Sequence, residues 1–156
     1  MKLDRLPRWI TGFFDRSEEP RSLGSKSFES ACYLVANSDG GKVEALDFDL
    51  LGRSYYVATL PTKTDHVSVL CNGVHPYVAF VPPGSFGGGN SELTFVDPTH
   101  LAAAFSALTD FAPLEAGWLS ADLTPELLID LAKAETEQVH YWKPRRVGDV
   151  IFNNWD

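Results

Sequence analysis

The feature that most constrains this chain is a change of hydrophobic period near residue 97. Before it, apolar residues come in short runs separated by turn formers. After it, they recur near helical spacing behind two start signals, Asp97-Pro98 and Thr124-Pro125. Alternation buries one face of a sheet, whereas recurrence near 3.6 residues buries one stripe of a helix. Strands first and helices afterwards give an α+β domain. The expected architecture is an antiparallel β-meander of about five to six strands, followed by about two to three helices packed on one face.

The expected strands are Ala31–Asn37, Lys42–Leu50, Ser54–Leu60, His66–Asn72, Val74–Pro82 and Glu92–Val96. Ser38-Asp39-Gly40-Gly41 reads as the turn between the first two, because glycine takes positive φ without steric penalty. In Lys42–Leu50, Leu46, Phe48 and Leu50 alternate with Asp47 and Asp49, so the apolar side faces inward and the carboxylates face water. His66–Asn72 places Val67, Val69 and Cys71 on one face. Leu6–Phe14 reads as a short helix, and residues 16–27 as a loop. The Asp97-Pro98 helix runs to Thr109 with Leu101, Phe105 and Leu108 on one face. The Thr124-Pro125 helix runs to Tyr141 on a stripe of Leu128, Leu131, Ala132, Val139 and Trp142. Pro144 breaks the chain, and Val147–Trp155 fits a final short helix. The chain reads as one domain: residues 1–28 an N-terminal segment and loop, 29–96 mainly β, and 97–156 mainly α.

At 156 residues one hydrophobic core suffices without disulfides or metal. No apolar run approaches the ~18 residues that a membrane helix needs, and residues 1–15 lack the pattern of a secretory signal. The expected compartment is therefore the cytoplasm. Cys32 and Cys71, the only cysteines, sit in apolar runs and read as buried, reduced thiols.

The formal net charge is −8, and its location says more than its size. Residues 80–138 hold nine acidic residues and a single cation, Lys133. Such a field repels nucleic acid and anionic membranes and attracts basic partners.

Motifs for chemistry are sparse. His66, His75, His100 and His140 show no metal-ligand spacing, and neither HExxH nor CxxC occurs. The Gly84–Asn90 loop lacks a Walker lysine, and Ser85 does not lie in a GxSxG elbow. Asp47 and Asp49 read as a solvated pair. Glu135 falls inside the apolar stripe of the Thr124 helix and needs a partner, for which Arg145 and Arg146 are the candidates. Trp118 is the candidate exposed aromatic anchor. Neither catalysis nor a cofactor or metal is expected.

The last residues, Trp142-Lys143-Pro144-Arg145-Arg146-Val147-Gly148-Asp149-Val150-Ile151-Phe152-Asn153-Asn154-Trp155-Asp156, resemble the endings of small bacterial immunity proteins. These are the antidotes encoded beside polymorphic or contact-dependent toxins. The match covers about a tenth of the chain, and the tail also reads structurally as a packed terminal helix. The resemblance implies an antitoxin that binds and neutralises a cognate toxin domain by steric and electrostatic occlusion. Toxin nuclease domains are commonly basic, so carboxylates steer onto them. The expected partner surface comprises Asp110, Glu115, Trp118, Asp122, Glu126, Asp130 and Glu137, on the loop before the second helix and that helix's outward face. An interaction or adaptor domain with another partner is the alternative, and a small hydrolase using loop-borne acids comes third.

Overall fold

The computed structural model describes residues 1–87 and 92–156. Its element order is α1 (Ser25–Ser38), β1 (Ala45–Asp47), β2 (Tyr55–Pro61), β3 (His66–Asn72), β4 (Tyr77–Val81), α2 (Thr99–Leu108), β5 (Ala112–Pro113), α3 (Ala116–Leu119), α4 (Lys133–Trp142) and α5 (Val147–Ile151). Short 3-10 turns occupy Arg16–Glu18 and Pro125–Leu128. The class is α+β, with a five-stranded sheet in the order β1-β2-β3-β4-β5. β1 to β4 pair antiparallel as a meander, and β5 joins β4 parallel after the α2 crossover.

Both faces of β2 and β3 are buried, so each strand feeds two cores. On one face Tyr56, Ala58, Leu60, Val67, Val69 and Cys71 pack under α1 and α2, meeting Phe28, Val35, Leu101 and Phe105. On the other, Tyr55, Val57, Leu70 and Val81 meet Leu6, Ile10, Leu119, Leu127 and the α5 residues Val147, Val150 and Ile151. The single helical layer expected from the sequence is thus one of two. The second consists of the N-terminal segment, α3 and the C-terminal elements.

Ala31–Asn37, expected as a strand, lies inside α1. The apolar run was legible, but its period extends upstream to Phe28, giving Phe28, Ala31, Cys32, Val35 and Ala36 as one buried helical stripe. The supposed hairpin turn is the helix end. Gly40 takes φ 62, and the Gly41 amide donates to the Ala36 carbonyl at 2.8 Å, as in a left-handed C-terminal cap. Gly41 also runs against the β2 exit: a Cβ there would lie 2.4 Å from the Pro61 carbonyl oxygen.

Other boundaries shift as well. Lys42–Leu50 pairs as a strand only over Ala45–Asp47, and Glu92–Val96 contributes one bridge, Val96 to Phe80. Leu6–Phe14 forms turns rather than a helix. Trp9 takes φ 71 there, a conformation costly for a bulky residue. The Thr124 helix is divided. A 3-10 turn ends near Leu128, Ala132 is extended at ψ 160, and α4 starts at Lys133. Leu127, Leu131 and Glu135 are nevertheless all buried, on either side of the break. Val147–Trp155 is helical only as far as Ile151.

Candidate functional site

From Leu114 onward the acidic segment is held by the second core, whereas Asp110 follows α2, whose Leu101 and Phe105 pack with Phe111 in the first. α3 anchors through buried Leu119, and the 3-10 turn anchors through Leu127, whose carbonyl accepts the Leu6 amide at 2.9 Å. The chain between them is tied to the α4–α5 linker by the Leu123 amide on Arg145 O (2.8 Å) and the Val147 amide on Ala121 O (3.1 Å). Side chains that do not enter the core on this braced loop-rich surface point to water.

Of the expected surface residues, Asp110, Glu115, Asp122, Glu126, Asp130 and Glu137 are all exposed. Trp118, expected as an exposed anchor, is half-buried and packed against the core. Three of the carboxylates already face a cation. Asp130 meets Arg5 at 3.3 Å, Asp122 meets Arg145 at 3.8 Å, and Glu115 lies 3.7 Å from the Met1 amino group. Asp110, Glu126 and Glu137 make no ion pair among the described residues, and so keep their full outward field.

Glu135 is the buried member of the segment, and its partners differ from those expected. Its carboxylate accepts the Trp9 amide, the Thr11 amide (3.0 Å), the Thr11 hydroxyl (2.8 Å) and the Ala132 amide (3.1 Å). Arg145 instead reaches Glu92 with two 3.2 Å contacts. Arg146 donates to Asp149 through Nη2 at 2.7 Å and to the Leu93 carbonyl through Nη1 at 2.9 Å. A carboxylate held by four donors is a structural anchor for the N-terminal segment.

Asp47, Asp49, His66 and His75 make local contacts. Asp47 Oδ1 sits 2.9 Å from Arg53 and accepts the Asp49 amide, while Asp49 accepts the Leu51 amide. His66 pairs with Glu44 at 3.5 Å, and the His75 ring bonds Arg8 O at 2.8 Å. No group of His, Cys, Asp and Glu that could hold a metal ion occurs among the described residues. In the glycine-rich loop, Gly88, Gly89 and Asn90 lie outside the described residues, and the Gly84 amide donates to Ser68 Oγ at 3.0 Å. Cys32 and Cys71 are free and buried, and burial pushes both thiols well above their ordinary values. Among the described residues, no helix is long and apolar enough to cross a membrane.

The C-terminal motif folds into the second core. Asn153 Nδ2 donates to Thr11 O and Val150 O, both at 3.0 Å, and the Asn153 amide donates to Ser54 Oγ. Asn72 Nδ2 spans Ile10 O and Ile151 O. Trp142 and Trp155 lie parallel, 6.3 Å apart. The sign of this polar network in the sequence is slight: Asn72 and Asn153 each follow an apolar run. No protein-family model matches the chain, and no curated protein or solved structure matches it.

Proposed function

We propose that the chain is a cytoplasmic immunity protein that binds a cognate basic toxin domain and neutralises it by occlusion, without chemistry of its own. The observation that carries this reading is a set of exposed carboxylates without an ion pair among the described residues: Glu126 and Glu137 on the braced second layer, and Asp110 at the end of α2. Carboxylates so placed raise the encounter rate with a basic surface. A rigid support limits the ordering cost of binding. The tail resemblance supplies the partner class. Its packed residues act in this reading as the frame, and the acidic segment as the contact.

The test is neutralisation. The toxin encoded beside this chain is assayed with increasing amounts of the purified protein, and complex formation is followed by calorimetry. Stoichiometric loss of toxin activity is the expected result. An active toxin at saturating protein, or no heat of binding, would overturn the reading.

A further inference from the structure

We propose that the groove between α1 and α2 seats a basic, amphipathic polypeptide segment, with an apolar side chain in the groove and a Lys or Arg against Asp110. This rests on the antitoxin reading and names which part of the partner is gripped. The groove has a volume of about 410 Å³, with walls that include Leu23 and Leu34 on the α1 side and Leu108 and Phe111 on the α2 side. Leu34 and Leu108 are 49% and 45% exposed, a cost in water that burial against a partner removes. Asp110 is the one charged residue in its lining.

The groove does not end there. A second depression shares Thr109, Asp110 and Phe111 with it, and a third shares Met1, Ser106 and Pro113 with the second. The trough so formed leads from the two leucines past Asp110 to Glu115 and Asp97. Its charged side chains are these three carboxylates; the Met1 amino group also lines it and lies 3.7 Å from Glu115, which leaves Asp110 and Asp97 as the carboxylates without an ion pair among the described residues. An apolar floor that runs into a carboxylate rim is the complement of a segment with apolar residues on one side and basic ones beside them. A nucleic acid would meet repulsion along the trough, and a second copy would set the same carboxylates against themselves.

The test uses the full chain, labelled with ¹⁵N, and three synthetic peptides. One has leucine and lysine segregated at helical spacing, one has glutamate for lysine, and one shuffles the first composition. The segregated basic peptide is expected to perturb the amides of Leu34, Leu108 and Asp110. Its affinity should fall about tenfold or more in Leu34→Glu and fall further at low salt in Asp110→Lys. Leu108→Glu replaces Leu34→Glu if the latter loses its native spectrum. No binding, equal binding of the shuffled or glutamate peptide, or perturbations spread over the whole acidic surface would overturn the proposal. Neutralisation separates the two readings. Wild-type levels of protection by Leu34→Glu would sink the groove and leave the antitoxin reading standing. Failure of the wild type to protect, with peptide still bound in the groove, would sink the antitoxin reading alone.

Discussion

Glu135 is the one acidic residue between positions 110 and 137 that the fold withdraws from water, and both its oxygens are enclosed by N–H and O–H donors. Replacing a single oxygen by an amide nitrogen turns acceptance into donor–donor conflict. Glu135→Gln should therefore lower unfolding free energy by about 3 kcal/mol, the cost of leaving one or two buried donors without partners. Urea denaturation checks this, and a loss below about 0.5 kcal/mol would mean that the N-terminal segment is held by its apolar side chains alone. The cysteines give a second residue-scale prediction. With both thiols buried and pushed well above their ordinary values, a thiol reagent at pH 8 should leave the native protein unmodified and label both positions once it is denatured. Rapid labelling of the native protein would show that one face of the sheet opens readily.

At the scale of elements, the tail is fitted by contact. α5 approaches so closely that a Cβ on Gly148 would lie 2.4 Å from the ring of Phe95 and 3.0 Å from Leu119 O. Phe95 is itself 7% exposed, so it has little room to withdraw. Gly148→Ala should destabilise by about 1–3 kcal/mol, as overpacking does. Adding Phe95→Leu should return part of that loss, a non-additivity readable from a double-mutant cycle. An additive pair would indicate that α5 shifts as a body. The same reasoning explains why the tail motif serves as a frame. Gly148, Phe152 and Asn153 are specified by what they touch inside the molecule.

At the scale of the molecule, a net charge of −8 resolves into compensated and uncompensated carboxylates. If the proposed basic toxin domain is the partner, Glu126→Lys with Glu137→Lys should slow association with it about tenfold at low ionic strength, and the difference should shrink by about 0.5 M salt. Asp122→Lys and Asp130→Lys should have smaller effects, because Arg145 and Arg5 already offset those charges. Stopped-flow kinetics at two salt concentrations checks both statements, and equal effects of all four reversals would show that only total charge matters.

The sequence by itself determined the class, the β2–β3–β4 meander and the start of α2, since each rests on local periodicity or on turn chemistry within a few residues. It also determined that the thiols would be buried and that carboxylates would crowd residues 80–138. It could not separate helix from strand at Ala31–Asn37, because a short apolar run fits either period until its flanks are weighed. It could not reveal that the Thr124 helix breaks at Ala132. Nor could it reveal that Glu135, beside that break, takes donors from Trp9 and Thr11, more than a hundred residues away. Which carboxylates keep their field, and that two exposed leucines lie beside Asp110, were decided only by tertiary structure. Ion pairs and grooves are made between elements, and their geometry does not exist until those elements pack.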